Sequence, residues 1–171
     1  MDSITLIIVL LVVAMVIGPV AMLRPSAGQK KREQQRQYVV AKGLGVTLRA
    51  LPKLATDMEE AGLLPTYTLQ IKGGETWTLR RASFAHESHL AEYWQFVGSG
   101  RPSAAVEVFL KVQLPLLSPR IQAISSAAGE LALTWYASSQ NSDVDVIDDF
   151  LRQLAAAQGA VVIPREPLHS R

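Results

Sequence analysis

The chain has 171 residues, 17 basic and 15 acidic side chains, three histidines and no cysteine, and 49% of it is hydrophobic. That length holds one apolar anchor and one small domain, but not two ordinary domains beside it. The missing cysteine excludes a disulfide scaffold, a thiolate zinc site, an iron–sulfur cluster and a cysteine nucleophile.

Ile4 to Leu23 is a run of 20 residues without a charge, and thirteen of them are Ile, Leu or Val. As a helix rising about 1.5 Å per residue it covers roughly 30 Å, the thickness of a hydrocarbon core. Its aliphatic side chains favour insertion by roughly 4 to 8 kcal/mol. Met1-Asp2-Ser3 is acidic and no Ala-x-Ala follows the run, so a cleaved signal peptide does not fit. Residues 1–25 are therefore expected to form a transmembrane anchor. Arg24, Lys30, Lys31, Arg32 and Arg36 all follow it, which places the N-terminus outside and the C-terminal domain in the cytoplasm. Ala14 and Gly18, four apart, form a small-residue pair suited to a helix–helix contact.

Residues 26–43 read as a basic juxtamembrane helix stopped by Gly43 and Gly45. The charges of Arg24, Lys30, Lys31, Arg32 and Arg36 also suit anionic lipid headgroups, at about 1 kcal/mol per residue. Up to position 36, five basic residues against Asp2 and Glu33 give +3; beyond it, twelve basic against thirteen acidic residues give −1. A nucleic-acid-binding domain carries its basic excess on the folded body, so no nucleic acid partner is expected.

Residues 44–163 are expected to form a cytoplasmic α+β domain with two β-hairpins and packed helices. Val46 to Leu51 reads as a strand closed by Pro52. Lys53 to Pro65 is a connector with room for a short helix carrying Leu54, Met58 and Ala61. From Thr66 to Arg81, Tyr67, Leu69 and Ile71 and then Trp77 and Leu79 alternate with polar residues around Gly73-Gly74. A three-residue loop there would pair Leu69 with Trp77 and Tyr67 with Leu79, keeping both apolar sets on one face. Ser83 to Val97 reads as a helix with Leu90, Tyr93, Trp94 and Val97 as its stripe. Ala104 to Leu114 fits both a strand and a helix, with Pro115 and Pro119 favouring the helix. Arg120 to Ser125 and Leu131 to Ala137 form the second hairpin around Ala128-Gly129. Asp143 to Ala157 is a helix with Val144, Ile147, Phe150, Leu151 and Leu154 inward. Val161 to Ile163 adds an edge strand, and 164–171 is a flexible tail.

The chemistry-bearing residues favour structural roles. His86 and His89 stand at a spacing that can bring two ligands to one metal, but no third ligand accompanies them. Asp143, Asp145, Asp148 and Asp149 lack the glycine and alternation of a calcium loop; they complement a helix dipole, with Asn141 or Ser142 as the cap. No metal site is expected. Trp77, Trp94 and Trp135 read as core, and Arg80 and Arg81 as a solvated strand face. No nucleophile elbow, phosphate loop, H-E-x-x-H or dinucleotide fingerprint occurs, so no catalytic residue and no cofactor is expected.

Met22-Leu23-Arg24-Pro25 followed by Gln29-Lys30-Lys31-Arg32 resembles the YajC-type accessory subunit of the bacterial preprotein translocase, over roughly residues 4 to 36. The whole chain resembles uncharacterised single-pass inner-membrane proteins of Gram-negative bacteria. These resemblances imply a bacterial inner membrane, while the basic stretch and the Ala14/Gly18 pair make membrane lipids and another membrane protein the expected partners. The expected function is a membrane-tethered cytoplasmic binding or scaffold module without enzymatic activity. Accessory work at the translocase and a membrane-bound enzyme of unrecognised type are the alternatives.

Overall fold

The computed structural model describes residues 4, 7, 11, 15, 27–55, 57, 62–127, 129–136 and 140–165, with the backbone alone at 27 and 29–32. The chain divides into two compact units, Met1–Gln34 and Gln35–Arg171. The elements in order are α1 (Ala27–Ala41), β1 (Gly45–Ala50), β2 (Leu63–Lys72), β3 (Trp77–Arg81), β4 (Trp94–Phe96) and α2 (Ala104–Gln113). A 3-10 turn (Leu114–Leu116), β5 (Ile121–Ala127), β6 (Glu130–Trp135), α3 (Asn141–Ala157) and β7 (Val161–Val162) complete it.

Among the described residues seven strands form one antiparallel sheet in the order β1-β2-β6-β5-β3-β4, with β7 added to β2. Register lines up Tyr67, Leu133, Ile124, Leu79 and Phe96 across five neighbouring strands. Side chains directly opposite one another share a face, so this row is the floor of the core. Leu133, Ile124 and Leu79 are fully buried, a stabilisation of roughly 1.5–3 kcal/mol each. Val144, Ile147, Phe150, Leu151 and Leu154 of α3 and Val106 and Leu110 of α2 are buried over it, and Phe109 meets Phe150 at 5.9 Å between ring centroids. Trp77, Trp94 and Trp135 are all buried, as expected of core residues. The opposite face is small and polar, with Thr66 and Thr134 joined through their hydroxyls at 2.9 Å.

Several local expectations hold. β1, α2, the β5–β6 hairpin, α3 and β7 lie where the patterns put them, and Gly129 (φ 79) supplies the left-handed turn residue between Ala127 and Glu130. The α2 ambiguity resolves because Val106, Leu110 and Leu114 bury a period-four stripe. α3 starts at Asn141 behind Gln140, which makes no side-chain cap bond, so neither Asn141 nor Ser142 is the cap.

The expected fold class needs correcting, first in the β2–β3 region. The two strands are antiparallel but not neighbours: the β5–β6 hairpin stands between them. The loop after Lys72 passes the tip of that hairpin, with Ile71 N–H donating to the Gly129 carbonyl at 2.8 Å and Ser126 Oγ donating to the Glu75 carbonyl at 2.6 Å. Burial on one face is satisfied equally by adjacent and by separated strands of one sheet, so alternation fixed the face and not the neighbour. The helix expected over Ser83–Val97 is absent. Trp94 N–H donates to the Ala91 carbonyl at 2.7 Å, Glu92 takes a positive φ of 37°, and β4 then covers β3. Pairing with an exposed strand edge buries Trp94 as well as a helix would.

The second correction concerns the membrane. Among the described residues no helix is long and apolar enough to cross one. Spanning takes about 20 consecutive apolar residues. α3, at 17 residues, carries Asp143, Asp145, Asp148, Asp149 and Arg152, and α1 is polar and basic. Of the stretch 1–25, only Ile4, Ile7, Leu11 and Met15 are described; they are helical and exposed. The transmembrane anchor over 1–25, the single-pass inner-membrane placement and the cytoplasmic body deduced from it are withdrawn on that finding.

Candidate functional site

The C-terminal turn of α1, the start of β1 and the end of β7 meet around a groove of about 800 Å³. The register produces this meeting. β1 and β7 both run antiparallel to β2, with Gly45 opposite Thr68 and Val162 opposite Ile71. Ile163 N–H donates to the Gln70 carbonyl at 2.9 Å, and Pro164 then follows without an N–H to continue the ladder. Val40, Val46 and Ile163 line the groove, with the buried Leu69 among its walls.

Among the described residues four cations line it as well: Arg36, Lys42, Arg152 and Arg165. Two are pinned by the acidic cluster of α3. Lys42 Nζ and Tyr38 Oη both donate to Asp145 Oδ1 at 2.7 Å. Arg152 Nε donates to Asp148 Oδ1 at 2.7 Å, and its guanidinium also donates to the Lys42 carbonyl at 2.8 Å. Asp148 is buried under that contact. The hydrogen bond from Lys42, and then that from Tyr38, holds the Asp145 carboxyl below its ordinary value. The same bonds to Asp145 raise the Tyr38 phenol and the Lys42 ammonium. These contacts clasp the end of α1 to α3 and fix one side of the groove.

Arg36 and Arg165 are different. Among the described residues neither has a carboxylate partner. Arg165 lies flush on β1: a Cβ at Gly45 would stand 1.8 Å from its Nη1 and 2.6 Å from Thr68 Oγ1. The absent side chain of Gly45 is therefore the space in which the guanidinium rests.

Of the residues expected to bind lipid, Arg36 is exposed on α1 and lines the groove. Lys30, Lys31 and Arg32 lie on the backbone of α1, and their side chains are outside the described residues, as is Arg24. Ala14 and Gly18, the expected helix-contact pair, are also outside them. His86 and His89 sit in an exposed turn rather than on a helix. The His86 ring accepts from Ser88 N–H at 3.1 Å through Nδ1, while His89 Nδ1 bonds the Glu92 carbonyl at 2.8 Å. Among the described residues no group of three His, Asp or Glu side chains is arranged to hold a metal.

Arg80 departs from the solvated strand face expected of it. It is buried and paired with Asp57, and it also donates to the Pro52 carbonyl. The Leu54 N–H, 2.9 Å from Asp57, and then Arg80 hold that carboxyl below its ordinary value. Arg81 instead stacks over Tyr93, 5.0 Å from the ring centroid. Arg80, Asp57, Arg81 and Tyr93 line a second pocket of about 420 Å³, in which Arg80 and Asp57 are already paired with each other.

Sequence reasoning missed Lys42, Arg152 and Arg165 as site residues. Lys42 carried a signal, since a basic residue at a helix C-terminus is favoured there. Arg165 carried none: it is one basic residue after Val-Val-Ile-Pro, placed by sheet register alone. In comparisons with protein-family models, curated proteins and solved structures, the chain finds no match.

Proposed function

We propose that the chain is a non-catalytic binding module that captures an anionic group, a phosphate or a carboxylate, in the groove between α1, β1 and β7. The observation that carries this reading is the pair of arginines, Arg36 and Arg165, which line one concave site and have no carboxylate partner among the described residues. Guanidinium groups match the forked geometry of phosphate and carboxylate. Among the described residues, four lining cations against the two carboxylates that pin Lys42 and Arg152 leave an excess of two positive charges at the groove. Its described lining holds arginine, lysine, aliphatic residues, glycine and proline. Arginine and lysine stay protonated near neutral pH, so this set binds charge but has no group suited to shuttling a proton. The scaffold role expected from sequence thereby narrows to ligand capture. The translocase alternative rests on residues 4 to 36, and the described body adds no observation in its favour.

The test is titration of the full chain with pyrophosphate, followed by amide shifts in the NMR spectrum. Saturable shifts clustered at Val40–Val46 and Val162–Arg165 are expected, weakening as salt rises. The Arg36→Gln/Arg165→Gln variant is expected to lose at least tenfold in affinity while keeping its circular dichroism spectrum. Full affinity in that variant, or shifts spread over other surfaces, refutes the proposal.

A further inference from the structure

We infer that the ligand of this groove is an amphiphile: its phosphate or carboxylate head is held by Arg36 and Arg165, and its aliphatic chain lies on Val40, Val46 and Ile163. This rests on the anionic reading above and extends it to the other half of the molecule bound.

Exposed carbon inside a concave site is the observation. Val40 is 47% exposed, Val46 41% and Ile163 40%, and all three line the same groove. They come from α1, from β1 and from the residue after β7, so no single helix stripe or strand alternation accounts for them. Small-molecule sites combine an apolar lining with a few placed polar groups in a volume of about 300–1,000 Å³. A bare inorganic anion would engage the guanidiniums and leave these side chains in water. A nucleotide would need a flat surface for its base, and the described lining holds no aromatic residue. An aliphatic chain satisfies both halves of the site, since each methylene removed from water contributes favourably to binding.

Gly45 gives the head site a handle that leaves the charges intact. It lies outside the left-handed region, so alanine fits its backbone. The new Cβ would take the space of the Arg165 guanidinium and drive it off the strand.

The experiment measures binding of n-hexyl phosphate, inorganic phosphate and n-hexanol to the full chain by calorimetry, with phosphatidylglycerol and phosphatidylcholine vesicles as further arms. Hexyl phosphate is expected to bind at least tenfold tighter than phosphate, and hexanol more weakly than hexyl phosphate. Val46→Asn should erase most of the hexyl advantage while leaving phosphate affinity within about twofold. Gly45→Ala should weaken both phosphates by a similar factor, with Arg165→Gln as the matched comparison should the alanine variant fold poorly. Vesicle binding that hexyl phosphate displaces identifies the head as a lipid's; hexyl phosphate binding without vesicle binding identifies a soluble ligand, and both support the inference. Equal affinity for hexyl phosphate and phosphate, with phosphate still lost in the Arg36→Gln/Arg165→Gln variant, overturns the amphiphile and leaves the anion site standing. Failure of both phosphates to bind overturns the two together.

Discussion

The insertion of the β5–β6 hairpin between β2 and β3 decides the topology, and two engineered cysteine pairs separate it from the local hairpin that alternation suggests. The chain has no cysteine, so every thiol in a variant is an introduced one. Thr66 and Thr134 stand opposite each other on β2 and β6, with hydroxyl oxygens 2.9 Å apart. Thr66→Cys with Thr134→Cys should close. The residues are 68 apart in sequence, and the loop-entropy relation gives about 15 cal/mol/K, or about 4 kcal/mol at 25 °C. Loss of the hydroxyl bond takes back about 1 kcal/mol. A net of about 3 kcal/mol corresponds to a rise in Tm of about 6–12 °C for a chain of this size.

The control pair is Thr68→Cys with Thr78→Cys. In a hairpin pairing Leu69 with Trp77 these two positions would be opposite each other. In the sheet, Ala132 and Ser125 lie between them. Three strand spacings of about 4.8 Å put them about 14 Å apart, twice the Cα separation a disulfide tolerates. Both pairs are refolded in a glutathione buffer, followed by thiol titration and by thermal unfolding with and without reductant. Closure of the 68/78 pair, with the 66/134 pair left as free thiols, would refute the strand order.

Three further outcomes follow from packing and charge. Leu133→Ala, at the centre of the buried row, should cost about 2–5 kcal/mol in urea unfolding with little change in m-value; a cost under 1 kcal/mol would contradict its place in the core. Asp57→Asn should cost about 1–3 kcal/mol because Arg80 is buried and loses its charged partner, whereas Arg81→Gln should change stability by under 1 kcal/mol. Asp57 and Asp145 have folded pKa values below the ordinary 3.8, so the stability they confer is complete above about pH 4 and is lost as pH falls through the folded values. Acid titration of the Asp57→Asn/Asp145→Asn variant should therefore show a shallower stability loss below pH 4 than the parent chain; an unchanged slope would remove these carboxylates from the account.

The sequence was most legible where one element settles its own burial. α3 shows this: Val144, Ile147, Phe150, Leu151 and Leu154 recur at helical spacing and all five are buried. The β5–β6 hairpin was legible because Ala128-Gly129 leaves its strands little choice of partner. Leu90, Tyr93, Trp94 and Val97 also recur at helical spacing, yet none lies in a helix and Trp94 opens β4, because the free edge of β3 offered Trp94 an equal burial. Arg80 illustrates the same blindness for charge. Its partner Asp57 is 23 residues away in a connector, and nothing local announces the pair. The site was legible only at Arg36, since the other half of the guanidinium pair arrives by sheet register.

The groove also shows why summed charge pointed elsewhere. Residues 37–171 carry −1, which argues against an anionic ligand if charge is spread evenly. It is not: Asp145 and Asp148 neutralise Lys42 and Arg152 while holding the end of α1 against α3, and Arg165, together with Arg36 just before that span, has no carboxylate partner among the described residues. One carboxylate thus contributes to the fold and subtracts from the site. Asp145→Asn should move the two in opposite directions. The Lys42–Tyr38 clasp weakens, so urea unfolds the variant at lower concentration at pH 7, while the released ammonium raises the excess charge at the groove from two to three and tightens pyrophosphate. Loss of stability and affinity together would mean that the clasp shapes the groove rather than competing with its ligand.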